Sequence, residues 1–439
     1  MATAKPQSGI TRDIYDLLTG DEDARVCRDI ADSACREQPR NFLIHILSLV
    51  ASKTGDRLAS PKLVLSWLMT SLGAPAFMLG LLVPIRESLS LLPQLFVAGY
   101  IRAVGVRKWF WVTGSLVQGF AVAGMAIVAV TLRDATAGAF ILALLVVFSL
   151  GRGVCSVAAK DVLGKTVSKN RRGTATGYAS SIAGAITILV GVFTFAMPPD
   201  EQGARFFGIL LTTAGALWVL AAIVFSRLVE YSGATEGGGN AITEAVRQFG
   251  LIRRDAELRR FLIVRTLLLS TALVAPFYVI LASAETGSGL SQLGGLLIAS
   301  GTASFLSAPL WGRMADRSSR RTMALAALLA AVAGFATAFL AWSPDLPYRS
   351  TLFAATYFLL SVAHSGVRLG RKTHLIDMAT ADNRAAYVAV SNTFIGMMLL
   401  AGGVFGVVAS VFGPAVAILA LALLSLFAAI AARSLKDVQ

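Results

Sequence analysis

At 439 residues, 56% of them apolar and with a mean hydropathy of +0.70, the chain exceeds the about 45 to 50% apolar share of water-soluble domains. Lipid is therefore the solvent for most of its length. The net charge of +14 comes in short basic blocks between apolar runs of about 20 residues, which excludes a continuous nucleic-acid-binding face and points to membrane topology.

Residues 1–41 are polar and are expected to form a cytosolic cap of one or two short helices, with Thr19 and Glu22 at capping-box spacing. No cleavable signal precedes the first apolar run at Phe42. Cys27, Cys35 and Cys155 set no disulfide framework. The first two fall on the expected cytosolic side, so reduced thiols without a bound metal are expected.

Apolar runs mark a first half, 42–228, with spans near 43–71, 77–100, 109–131, 137–159, 174–196 and 206–227. A linker, 229–260, carries Gly237, Gly238 and Gly239 and then an amphipathic stretch that reads as an interfacial helix. The second half, 261–433, has spans near 261–283, 290–311, 323–342, 350–369, 385–410 and 414–432, and a cytosolic tail, 434–439, follows. The chain thus reads as an all-α integral membrane protein of twelve helices in two six-helix halves. Basic residues crowd one set of alternate loops, while the opposite loops carry only Arg133, Arg205 and Arg349. By the positive-inside rule both termini are cytoplasmic.

The boundary between spans 1 and 2 has two solutions. Hydropathy accepts a first helix from Leu63 to Val83 with a loop at Pro84–Ser88, which would make Arg86 and Glu87 ordinary loop charges. An internal repeat favours the other: Met78-Leu-Gly-Leu-Leu82 stands about 20 residues before Arg102 and Gly105, as Gly294-Gly-Leu-Leu297 does before Asp316. That places the outer turn at Leu72–Ala76 and puts Arg86 and Glu87 inside span 2.

Charge near the membrane centre costs about 2.5 to 3.5 kcal/mol on insertion scales, so each such residue needs a partner, water or a job. Lys53, Asp56, Arg57 and Ser60 stand at i, i+3, i+4 and i+7, on one face of span 1. Asp56 is then about 20 Å along the helix, with Pro61 kinking it just beyond. Either the face lines a cavity, or span 1 is shorter and the cations snorkel. Arg86 and Glu87 are expected to pair with helix 1 or helix 11, as a structural or a coupling pair. In the second half Arg265 and Arg368 are expected to snorkel. Tyr278, His364 and Asn392 are polar handles that line the cavity or pack helices.

Gly312 to Arg321 reads G-R-M-A-D-R-S-S-R-R, five charges in ten residues at the end of an apolar run. This resembles the loop signature of the major facilitator superfamily, G-x-L-a-D-r-x-G-r-[kr], between the second and third helices of each half. Gly312, Asp316, Arg317, Arg320 and Arg321 fit, and Ser319 departs where the family has Gly. The first-half copy, from Gly99 to Lys108, puts Arg102 at the family's Asp. Leu150-Gly-Arg152-Gly-Val-Cys-Ser is similar to the family's helix 4 motif, whose arginine is associated with proton coupling. The Gly-Pro pair of the antiporter signature is missing from helix 5.

The resemblance implies a secondary transporter of a small solute, working by proton-coupled alternating access around a midplane cavity. It further implies that the Asp316 carboxylate meets the amino end of helix 11 at Asn383–Ala385 and holds the inner gate shut. Lys53, Arg57, Arg86 and Arg152 outnumber Asp56 and Glu87, favouring an anionic or zwitterionic solute, with Asp56 or Glu87 as proton site. Expected partners are that solute, protons and the bilayer of a bacterial inner membrane, for a monomer with no cofactor, no metal, no nucleic acid and no enzymatic activity. Two alternatives stand: a non-transporting receptor or assembly factor on the same scaffold, and drug or metabolite efflux by proton antiport.

Overall fold

The computed structural model describes residues 10–19, 30, 32–94, 97, 100–101, 103–197, 203–233, 249–285, 290–379 and 384–438. Glu22, Cys27, Arg102, Gly237, Gly238, Gly239 and Asn383 lie outside these residues. So do parts of the expected linker helix.

Among the described residues, twelve spans form two groups of six. Nine are single helices: span 2, Ala76–Leu91; span 3, Lys108–Thr131; span 4, Asp134–Thr166; span 5, Lys169–Ala196; span 6, Ala204–Ser226; span 8, Leu290–Arg317; span 9, Ser319–Ala341; span 10, Arg349–Asp377; and span 12, Pro414–Arg433. The other three are broken. Span 1 runs Gln38–Leu58 and Val64–Ser71, interrupted where Pro61 removes an N–H donor. Span 7 runs Ala256–Leu267, Ser270–Leu273 and Ala275–Glu285, and span 11 runs Arg384–Ala401 and Val404–Phe412 across Gly402 and Gly403.

Spans 3 to 12 are ten helices long and apolar enough to cross a membrane. The first two fall short for physical reasons. Span 1 is broken and carries Lys53, Asp56 and Arg57, and span 2 has 16 residues that include Arg86 and Glu87.

The turn between spans 1 and 2 falls at residues 72–75, as the repeat argues, so Arg86 and Glu87 are helical. Gly73 adopts φ +81°, and a Cβ there would lie 2.7 Å from Asp134 Oδ1. Only glycine fits this left-handed turn cheaply.

Within the first half, span 3 packs on spans 4 and 6, and span 1 on spans 5 and 6; in the second, span 9 packs on spans 10 and 12. Small residues permit this. A Cβ at Gly215 would stand 2.9 Å from Gly119 O. The halves meet along spans 5 and 8 and along spans 2 and 11. Their tightest approaches lie at the ends away from the basic loops: a Cβ on Gly406 would be 2.6 Å from Phe77 O, and one on Gly294 would be 2.7 Å from Gly191 O. On that side the outer piece of span 1 also packs on the outer piece of span 7, whereas the inner piece of span 1 packs on first-half elements.

The basic face is tied by polar contacts. The fully buried Glu230 side chain accepts the backbone N–H of Arg107 at 3.0 and 2.9 Å and of Lys108 at 2.7 Å, closing the amino end of span 3. Lys165 reaches Glu230 at 3.2 Å and Asp161 at 3.6 Å, and Asp161 also pairs with Arg107. In the cap, helix Ile10–Thr19 lays Tyr15 edge-on to Phe42, and Gln38 donates to Tyr15 Oη at 2.8 Å while accepting the Ser168 N–H at 2.9 Å. Thr19 is the last residue of that helix, and the capping partner expected for it, Glu22, lies outside the described residues. The expectation of reduced thiols fails at Cys35, which is disulfide-bonded. Compartment sets only the average redox state, and the local fold decides whether a particular thiol is cross-linked. Cys155 is free and buried.

Candidate functional site

The charged face of span 1 ends just before its break and points at spans 2, 4 and 5. Asp56 is the centre: its two carboxylate oxygens accept from Arg86 of span 2 and Arg152 of span 4, each at 2.9 Å. These two helices are 30 and 96 residues away in sequence, yet both cations converge on one carboxylate. Each guanidinium also lies over an aromatic ring, Arg86 over Phe148 at 4.8 Å and Arg152 over Trp218 at 5.6 Å. Gly55 makes room for that indole, because a Cβ there would stand 2.9 Å from Trp218 Nε1. The cluster remains reachable by solvent, with side chains 19%, 12% and 33% exposed for Asp56, Arg86 and Arg152.

Around it stand further cations. Lys53 donates to Ser180 Oγ of span 5. Arg57 reaches toward Gly184 of the same helix, and Arg368 of span 10 is an electrostatic neighbour of both Lys53 and Arg57 across the gap between halves. Arg57, Arg368 and Arg371 form no ion pair within 4 Å among the described residues. Glu87 forms none either, and its charged neighbours are Lys62, Arg86, Arg371 and Arg368.

Lys62, in the break of span 1, is a site residue that sequence reasoning missed. Its ammonium meets His364 Nε2 at 2.9 Å, 302 residues away in the other half. The proton positions follow from counting donors. The Thr271 hydroxyl lies 3.0 Å from Leu268 O and 3.1 Å from His364 Nδ1, and the Lys62 ammonium can only donate. Nε2 is then the acceptor for Lys62. The broken spans 1 and 7 thus supply Lys62 and Thr271 to the same imidazole, and Pro61 was the only signal in the sequence for the first of them.

Ser88 Oγ donates to Gly396 O at 2.6 Å, a second cross-half bond at the same level. The gap between the halves is therefore walled by basic residues, bridged at mid-depth and sealed at the end away from the basic loops.

Against this geometry, residues 261–438 match the family model described as Major Facilitator Superfamily. That match covers the second of the two six-helix groups. Solved structures with the same fold include a mutant of the nucleoside transporter NupG, with TM-score 0.67 at 13% identity, covering 90% of this chain and 100% of that one. A D-xylose-proton symporter gives TM-score 0.68 at 12% identity, covering 91% and 98%. A POT family transporter in complex with a thioalcohol-conjugated peptide gives 0.68 at 9% identity, covering 92% and 98%. At these identities the likeness is one of fold. No curated protein matches.

Other residues singled out in the sequence fall in different places. Arg265 does not snorkel. It is 7% exposed, its Nη2 donates to Asn392 Oδ1 of span 11 at 3.1 Å, and its Nε and Nη1 have no hydrogen-bond partner among the described residues. The reason is packing: span 11 covers the side of span 7 where a path to water would run. Tyr278 is not a cavity residue. It is 2% exposed and edge-on to Tyr357, with ring centroids 5.9 Å apart. Arg368 is exposed at the inner part of span 10, within electrostatic reach of Lys53 and Arg57.

In the signature loop, Asp316 is exposed, and its expected partner Asn383 lies outside the described residues. Span 8 ends at Arg317, and Ser318 caps span 9 by accepting from the Arg321 N–H at 3.5 Å. Arg320 pairs with Asp437 of the tail at 3.0 Å and donates to Leu435 O at 3.2 Å. Ser319, at the family's glycine position, is buried and bonded to His374 Nδ1 at 2.9 Å. Gly312 has open space where a Cβ would stand.

Proposed function

We propose that the chain carries a small organic anion across the membrane by alternating access of the two halves. The observation that carries this reading is the charge balance of the gap: Lys53, Arg57, Lys62, Arg86, Arg152, Arg368 and Arg371 against Asp56 and Glu87. Seven cations facing two carboxylates make a cationic solute unfavourable there and an anion favourable. Arg57, Arg368 and Arg371 have no ion pair of their own among the described residues, so they are the first cations open to a solute. This also argues against a receptor or assembly scaffold, in which the charges of the gap would neutralise one another.

Entry of an anion competes with Asp56 for Arg86 and Arg152. In this proposal Asp56, once released, accepts a proton, so the anion and a proton cross together with less net charge to move. Glu87 is the other candidate carrier of that proton. The solved structures of a xylose-proton symporter and a POT family transporter with the same fold support solute carriage as the general activity. The basic loops support cytoplasmic termini in a bacterial inner membrane.

The test uses proteoliposomes holding the whole chain and an internal pH probe, with mono- and dicarboxylates, amino acids, sugars and cationic drugs added in turn. The expected result is internal acidification triggered by an anion and lost in Asp56→Asn. Acidification driven by a cationic drug alone, or solute uptake limited to sugars, would overturn the anion reading.

A further inference from the structure

A groove of 440 Å³ opens on the basic face between spans 9 and 12, remote from the charged gap. Its lining repeats on both helices. On span 9, Arg321, Leu325 and Leu328 stand at i, i+4 and i+7; on the antiparallel span 12, Leu426, Ile430 and Arg433 stand at i, i+4 and i+7. Each helix therefore turns one face to the groove, with an arginine at the basic end and leucine or isoleucine reaching about 10 Å deeper.

Ala324 and Ala429 form the floor, and their small side chains are what leaves the space. Further from the basic face the two helices close: a Cβ on Gly334 would lie 2.6 Å from the Ala422 Cβ. The groove is thus blind toward the membrane centre, apolar along its walls and cationic at its mouth.

The mouth is short of negative charge. Asp437 pairs with Arg320 at 3.0 Å, while Arg321 and Arg433 are exposed and form no ion pair among the described residues. Leu325 and Ile430 are 43% and 60% exposed, so the walls are open to a chain arriving from the side. A free anion would satisfy the arginines and leave the apolar walls bare. A neutral lipid would cover the walls and leave the arginines unpaired.

We propose that this groove holds one anionic phospholipid, its phosphate on Arg321 and Arg433 and an acyl chain along Leu325, Leu328, Leu426 and Ile430. This assignment is independent of the transport reading. It places the lipid beside the signature loop, where Arg320 and Ser318 meet the tail through Asp437.

The test is native mass spectrometry of the full chain released from vesicles of equal phosphatidylglycerol and phosphatidylcholine. The expected result is one retained phosphatidylglycerol, with retention about thirty-fold weaker in Arg321→Gln/Arg433→Gln. Retention is also lost in Ala429→Phe, which fills the floor and keeps every charge. Unfolding midpoints of the variants establish that they fold, and a variant that does not is replaced by Leu325→Gln, which makes the exposed wall polar. Equal retention of the two lipids, or unchanged retention in the charge and floor variants, would overturn the proposal. Displacement of the lipid by inorganic phosphate alone would also overturn it, by making the site one for a free anion.

Discussion

Two arginines on one aspartate are worth more to the protein together than singly. Removing the Asp56 charge leaves Arg86 and Arg152 facing one another with no counter-ion, while removing one arginine leaves a pair that still balances. Asp56→Asn is therefore expected to destabilise more than Arg152→Gln, and the double variant to lose less than the sum of the two. The coupling should be about 0.5 to 3 kcal/mol, toward the lower part because Arg152 is a third exposed. Unfolding midpoints of the four proteins in detergent measure it; strict additivity would mean that Arg152 and Asp56 act separately. At this scale the sequence was informative about one helix at a time. The i, i+3, i+4 spacing put Lys53, Asp56 and Arg57 on one face, but Lys62, Arg265 and Arg371 looked like ordinary basic residues near a helix end or break. Their partners lie on helices far away in the chain, 302 residues off for Lys62 and 127 for Arg265, and a single sequence does not show which helices become neighbours.

Helices were more legible than contacts, because hydropathy and turn chemistry act locally. Pro61 interrupts span 1, the Gly402–Gly403 pair interrupts span 11, and Pro276 follows the second break of span 7 at Val274, but its first break, at Leu268–Leu269, has neither residue type present. The start of span 7 is held by Asp255, which lies outside the span. Its Oδ1 accepts the Glu257 and Leu258 N–H groups at 2.9 and 3.0 Å, and its Oδ2 accepts from the Tyr387 hydroxyl of span 11. Burial pushes this carboxyl up, but the Tyr387 hydroxyl, the two amides and the Arg259 charge together hold it below its ordinary value of 3.8. A depressed carboxylate stabilises the fold above its unfolded value and loses that contribution as pH falls through the folded one. Asp255→Ala is thus expected to cost about 1 kcal/mol at neutral pH. The gap between variant and parent should close as pH falls below 3.8. Midpoints compared across that window check it, and a gap that persists in acid would assign the loss to packing against Tyr387.

The whole molecule is held in one state by contacts between backbones. The alternating access proposed for this chain would need two packings of the halves separated by only a few kcal/mol, and a seal away from the basic loops that is tight yet separable. Glycines meet both conditions: at Gly406 and Gly294 the opposing atoms are Phe77 O and Gly191 O, which cannot rotate aside as a side chain would. Gly406→Val with Gly294→Val is expected to prevent this closure and shift the population toward the conformation open on that side. Gly295, beside Gly294 but with open space at its Cβ, provides a matched control. The readout is a thiol placed in the gap by Ser180→Cys, labelled with an impermeant reagent from each face of oriented vesicles. Without the glycine substitutions, labelling should come from the basic face, where the inner piece of span 1 packs mainly on first-half elements; the double valine variant should add labelling from the opposite face, and Gly295→Val should not. Labelling that stays on the basic face in the double variant would move the seal to the polar bridges, Lys62 with His364 and Ser88 with Gly396, which then become the contacts that alternation has to break.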